Sequence, residues 1–411
     1  MKLRLKKDFF YPFLLLFFPI IIDCINGYLK GPKGEGESLL GMLYRGVIVF
    51  FSCFYLFRNT FSKYILSILI VLILSQIYQI MAGYFYFSEI SSLIKVLYIF
   101  CVLSILLGNK YCSNIRVVAN CAIGYGIVAA LVLIYCFVFK IGYNSYVENT
   151  FGTKGFFVAM NDVGLTIILL NALSCFFYLK TNEFKFLLAI LIMSMGACLV
   201  GSMACYGGTA VVLACFVFNI VFVKFKDYKS ARRHKIITIL ITFVILNIVV
   251  WNIVDIIVND PYLSRKYGDI TATFIEMSGR DILIDASKKA ISEYSLSDWL
   301  FGTGANYMIK IQYALYRANP AIAEVDPLDL LGKYGIIFAV LLMWFSFRIL
   351  FKSIRSFILN RDLLSYWIIV GVSLYIFHAI YGGHAYLSPL SSSYLAVFIY
   401  LFIRKKEVAS L

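Results

Sequence analysis

The chain has 411 residues, 62% hydrophobic and 14% charged, with a mean hydropathy of +0.86. A soluble domain needs about 25% charged residues to cover its surface, so a water-soluble globular protein is excluded, as are a Pro-rich linker and a large disordered tail. On such a chain the formal charge of +15 reads as a topology signal and as contact with anionic headgroups, not as nucleic-acid binding.

A spanning helix needs about 20 apolar residues. Apolar runs of that order lie near Phe9 to Ile22, Leu39 to Phe57, Tyr64 to Met81, Ile90 to Leu107, Val117 to Phe139 and Phe157 to Leu179. They continue near Phe186 to Val200, Tyr206 to Val223, Ile236 to Val258, Tyr334 to Phe351, Leu364 to Tyr381 and Tyr386 to Ile403. The expectation is one all-α, polytopic membrane domain over residues 1–411 with about twelve spans. The short seventh run and the closely spaced last two could instead be re-entrant or broken helices. A cytoplasmic amino terminus puts Arg58, Lys63, Lys110, Arg116, Lys180, Lys185, the basic run Lys224 to Lys235, Arg348 to Arg361 and Arg404 to Lys406 on one side. That is the cytoplasmic side by the excess of lysine and arginine in short loops, and both termini fall there. The first run resembles a signal peptide in its basic start, but Asp23, Asn26 and Gly27 follow without a small-x-small site, so a retained helix is expected. All ten cysteines lie at or before Cys215 and read as small packing residues, with neither a disulfide framework nor a metal site implied.

The only long polar stretch, 259–333, follows the ninth run and is therefore external; it holds ten acids, and a loop of this length is usually functional. Within it Asp281 to Tyr294 reads as an amphipathic helix with Ser278 as a plausible N-cap, Ile282, Ala286, Lys289 and Glu293 on one side and Ile284, Ala290 and Ile291 on another.

These residues carry a resemblance. Ser278-Gly279-Arg280 ahead of a helix, then Leu300-Phe301-Gly302-Thr303-Gly304, Glu324-Val325-Asp326 and Tyr334-Gly335-Ile336-Ile337 entering the next span form one ordered set in one external loop. Together with Gly152 to Gly164 and with Gly383-His384-Ala385 before Ser388-Pro389, this set resembles the O-antigen polymerase and O-antigen ligase superfamily. The resemblance covers the chain from about residue 150 onward. It implies a GT-C-like fold and a metal-independent, inverting glycosyltransferase without a cofactor, acting on undecaprenyl-diphosphate-linked oligosaccharide at the outer face of a bacterial inner membrane. A chain-length regulator would be a possible partner. Ligases of the superfamily often carry a His-Asn pair where Glu324-Val325 stands here, which favours the polymerase over the ligase. A basic pair usual before the eighth span is replaced by Ser202-Met203.

Such a reaction needs cations for the departing diphosphate and one base for the acceptor hydroxyl. Arginine suits the first task because its fork binds phosphate oxygens bidentately. Arg280 is the first choice, at a helix start whose N–H groups would also face an anion; pairing with Asp281 or Asp285 is the structural alternative. Arg265, Lys266 and Lys154 are further substrate-binding candidates, with headgroup anchorage as the alternative. Arg45, inside the second span, faces either a polar cavity or a structural partner such as Asp23 or Asp162, whereas Lys95, nearer its helix end, reads as snorkelling. Glu324 is the expected base and Asp326 its catalytic neighbour, with N-capping as the alternative for Asp326. Asn161 and His384 are expected at the same cavity, either lining it or packing as an anchor and a hydrogen-bonded histidine. The absence of G-x-S-x-G, P-loop, HExxH and paired CxxC motifs leaves hydrolase, NTPase and metalloenzyme readings without support. A secondary transporter of twelve spans is the reading from another class.

Overall fold

The structure, a computed structural model, describes residues 7–32, 38–58, 62–87, 89–145, 152–221, 280–316 and 322–409. The ninth apolar run, Ser278, Arg265 and Lys266 lie outside the described residues. Each of the other eleven runs forms a helix. They are α1 (Lys7–Lys30), α2 (Leu39–Cys53), α3 (Ser62–Met81), α4 (Glu89–Gly108), α5 (Ile115–Phe139), α6 (Met160–Thr181), α7 (Phe184–Leu199), α8 (Met203–Val221), α12 (Asp326–Asn360), α13 (Leu363–Tyr381) and α14 (Pro389–Ile403). Between α8 and α12 lie α9 (Arg280–Ser292), α10 (Leu296–Phe301) and α11 (Ala305–Ala314); α15 (Lys405–Ala409) follows α14. Eight of the described helices are long and apolar enough to cross a membrane, and α2, α7 and α14 are shorter apolar helices. The protein is a helical, multi-pass membrane protein. One element was not expected: a two-stranded antiparallel ribbon, β1 (Tyr143–Asn144) with β2 (Thr153–Gly155).

Helix ends follow local chemistry. Ser38, Asn114, Asp362 and Ser388 cap α2, α5, α13 and α14 by accepting backbone N–H groups of the first turn, and Pro389 stands just inside α14 where its missing N–H costs nothing. α6 is the axis of the bundle, packed by α5, α7, α8, α13 and α14, with nearly its whole length buried. α3 instead keeps Ile70, Ile73, Ile77 and Ile80 exposed, the pattern of a helix whose solvent on that side is hydrocarbon. α1 carries a π-helical stretch at Phe13–Phe17, where the Phe18 N–H reaches the Phe13 carbonyl. The Leu14 and Leu16 carbonyls there accept the hydroxyls of Tyr44 (2.6 Å) and Tyr394 (2.9 Å), so the irregular turn has its backbone groups satisfied by α2 and α14.

The tenth run begins earlier than its apolar residues indicate. α12 starts at Asp326 and breaks at Gly335, which has φ 81° and ψ 168°. The break is where α10 and the turn after it dock. Thr303 and Gly304 donate their N–H groups to the Gly332 and Lys333 carbonyls, both at 3.0 Å. From α3, the Gln79 amide donates to the Lys333 carbonyl (2.8 Å) and the Ser75 hydroxyl to that of Phe301. A side chain at Gly335 would run into the Leu300 carbonyl. The two motifs Leu300 to Gly304 and Tyr334 to Ile337 are thus two halves of one backbone clamp. Above it, α9 buries one stripe, Leu283, Ala286, Ser287, Ala290 and Ile291, against α11 and α12, and Tyr294 just past its end is buried too. This corrects the two faces expected for that helix: Ile282 is exposed, and the spacing of three and four residues is that of one apolar stripe.

Candidate functional site

At the end of the bundle that carries α9 to α11, three segments far apart in sequence meet. They are the first turn of α6 with Asn161 and Asp162, the strap 322–329 leading into α12, and the turn 382–388 between α13 and α14. Asn161 donates to the Gly382 carbonyl at 3.4 Å. Asp326, buried, accepts the Tyr386 N–H at 2.7 Å, so it grips the α13–α14 turn. The N-cap position of α12 is Val325, so capping is not the role of the Asp326 side chain. Asp329, one turn on and also buried, accepts the Ala323 N–H (2.8 Å) and the Tyr307 hydroxyl (3.0 Å), tying strap and α11 to α12.

The His384 imidazole lies within electrostatic reach of the carboxylates of Asp162, Asp326 and Asp329. Each of those carboxylates also has one buried oxygen without a hydrogen-bond partner in the structure. Such orphan acceptors in a low dielectric are costly and favour a hydrogen-bond donor arriving there. Two backbone positions at this junction are unusual: Glu324 at φ 56° and His384 at φ 64°. Residues other than glycine occupy that region at a cost of about 1–3 kcal/mol, which surrounding contacts must offset, and such sites concentrate where function is. Gly383 supplies the contact, since any side chain on it would collide with the Glu324 carbonyl.

Among the candidates from sequence, Glu324, Asp326, Asn161 and His384 therefore come together. Arg45 lies next to them and not among them. Its guanidinium bonds Asp23 at 2.8 Å with both side chains about 8% exposed, and Asp23 takes the Tyr125 hydroxyl on its other oxygen at 2.9 Å. Arg45 also lines a small cavity with Tyr98, Leu390, Ser393 and Tyr394 and acts electrostatically on Asp162. Lys154 is not in the cluster. Its ammonium holds the carbonyls of Pro32 (2.9 Å) and Val158 (3.1 Å), joining β2 to the end of α1, and burial pushes its pKa down. This is a lysine serving as a backbone tie, neither headgroup anchorage nor a free phosphate contact. Arg280 opens α9.

Sequence reasoning passed over one lysine and read another as snorkelling. Lys333, buried at the break in α12, donates to the Ser92 hydroxyl of α4 at 2.9 Å and faces the buried Glu89 and Asp329. Lys95, read as snorkelling, acts on both Asp162 and Lys333 and so faces the bundle. The available signal was its spacing of three from Ser92, which makes the two neighbours on the surface of α4. Among the described residues no three His, Cys, Asp or Glu side chains are arranged to hold one metal ion.

No family model matches the chain, and no curated protein matches it in sequence.

Proposed function

We propose that the protein is a glycan-transferring enzyme of the lipid-linked type, the polymerase that joins polysaccharide repeat units carried on undecaprenyl diphosphate. The observation that carries the reading is the meeting of Asn161, Glu324, Asp326 and His384, drawn from three segments whose sequence order resembles the superfamily. In this reading the donor presents a sugar C1 bonded to diphosphate. The acceptor hydroxyl oxygen attacks C1 from the opposite face with inversion, the C1–O bond to phosphate breaks, and the diphosphate leaves with the electron pair. Cations such as Arg280 and Arg45 stabilise that departing charge, while the acid and imidazole cluster takes the hydroxyl proton.

The protein then sits in a bacterial inner membrane with about twelve spans, both termini cytoplasmic and residues 259–333 outside, beside a chain-length regulator. The charge asymmetry supports this orientation: Arg116, Lys185, Arg404 and Lys405 gather at the end of the bundle away from the cluster, paired with Glu183, Glu407 and Asp362.

A deletion strain complemented with Asp326→Ala is expected to make inserted protein but no long-chain glycan, read as a chain-length ladder on a gel. Accumulation of single-repeat products supports polymerisation, whereas long carrier-linked chains would make the protein a ligase. A normal ladder from Asp326→Ala sinks the site.

One observation favours a second reading. Buried carboxylates beside a half-buried histidine near span ends are also the equipment of proton-coupled transporters. Uptake of a sugar into proteoliposomes driven by a proton gradient, with no polymer formed, would select it.

A further inference from the structure

We infer that His384, and not Glu324, accepts the proton of the attacking hydroxyl, with Asp162, Asp326 and Asp329 as positioning residues that hold the imidazolium it becomes. The inference rests on the glycosyl-transfer reading above and deepens it by moving the base from the strap to the α13–α14 turn.

Four observations converge on the imidazole. Its charge neighbours are carboxylates on two different helices, Asp162 on α6 and Asp326 with Asp329 on α12. An imidazolium formed there would lie among three carboxylates that hold it in place, on the acceptor's side of C1 and across from the leaving diphosphate. Second, the ring is only half-buried and makes no hydrogen bond among the described residues, so a ring nitrogen remains for an incoming hydroxyl. Third, its backbone is held in a rare conformation, φ 64°, by contacts on both sides: Gly383 pressed on the Glu324 carbonyl and Asp326 gripping the Tyr386 N–H. Over-determined strain of this kind positions a side chain. Fourth, the orphan carboxylate oxygens of Asp162, Asp326 and Asp329 are acceptors awaiting a donor, which suits an orienting role toward an N–H and offers nothing to a phosphate.

Glu324 has a different task on this account. Its carbonyl is the surface on which Gly383 lies and its left-handed backbone turns the strap into α12, so the peptide at 324 matters more than the carboxylate. In the step itself, the acceptor O–H bond breaks as the O–C1 bond forms, and the proton passes to a His384 ring nitrogen. The C1–O(phosphate) bond breaks with its electron pair leaving on the diphosphate. Water or the next substrate then removes the proton from the ring, and no other reactant is consumed.

The test uses purified full-length protein in phospholipid bilayers supplied with an undecaprenyl-diphosphate-linked repeat unit. Wild-type protein that makes no polymer under any condition overturns the functional reading itself, before any variant is measured. Given an active wild type, His384→Ala is expected to lose about 10²–10⁴-fold in rate, the range that general base catalysis supplies. It should still bind the lipid-linked substrate, which reports the fold, and added imidazole should restore at least tenfold in proportion to its free-base concentration. Glu324→Gln is expected to lose less rate than His384→Ala and to gain nothing from added imidazole. Retention of a tenth or more of the rate by His384→Ala overturns the assignment. So does an inactive His384→Ala that binds substrate and does not respond to imidazole, and so does a Glu324→Gln as inactive as that variant.

Discussion

Asp23→Ala is expected to cost about 3–5 kcal/mol of stability, enough to remove most folded protein from the membrane, because it takes from the buried Arg45 guanidinium the carboxylate it bonds. Arg45 and Asp23 are both about 8% exposed, their contact is 2.8 Å, and Tyr125 satisfies the second carboxylate oxygen. Removing one partner of such a pair is far more damaging than removing both, since a well-packed apolar pair of similar volume is often neutral. The double variant Asp23→Leu/Arg45→Met should therefore recover most of the loss. The check is the fraction of monodisperse protein after a heating series in detergent, run as a cycle of wild type, two singles and the double. A double variant as unstable as the worse single would show that the ion pair is not what holds α1, α2 and α5 together. The same double variant separates structure from chemistry at Arg45: a stable protein that no longer makes polymer assigns the guanidinium to the substrate, and a stable active one leaves it a purely structural partner.

The second large effect is expected at the break in α12. Gly335→Ala forces a side chain into the left-handed region at φ 81° and against the Leu300 carbonyl. The backbone strain is of order 1–3 kcal/mol and the overpacking adds about 1–3 kcal/mol, so the clamp between residues 300–304 and 332–335 should open. Limited proteolysis reads this directly, with new cleavage between α9 and α11 in Gly335→Ala and none in Ala339→Gly, an ordinary helical position beyond the break. Unchanged protection of the Gly335→Ala protein would remove the clamp as a structural element.

The spans were legible because hydrocarbon imposes a crude demand, about 20 apolar residues per crossing, and each of the eleven runs that can be compared became a helix. Their ends were less legible. Nothing in Asp326 to Lys333 looks like the start of a span, yet α12 begins there, because its acids turn inward to hold the strap and the α13–α14 turn and are not solvated. The meeting of Asn161, Asp326 and His384 could be guessed only from the order of short motifs. The partners of Lys154 and Arg45 depended on which helix packs beside which, and one chain without its contacts does not disclose that. Lys333 escaped notice for the same reason: its burial follows from the docking of α4 beside a helix break that a Tyr-Gly pair alone does not announce.

The π-helical stretch Phe13–Phe17 gives α1 an uneven tolerance to changes in length. Such a turn stores one residue more than an α-turn of the same reach, so deleting one residue within it would let the helix close regularly while both flanks keep their facing. The same deletion one turn later, ahead of Asp23, would swing all that follows by about 100°, the rotation per residue at 3.6 residues per turn, and carry Asp23 away from Arg45. Only the first kind of shortening leaves the acid looking inward, at the expense of the carbonyls that now receive Tyr44 and Tyr394.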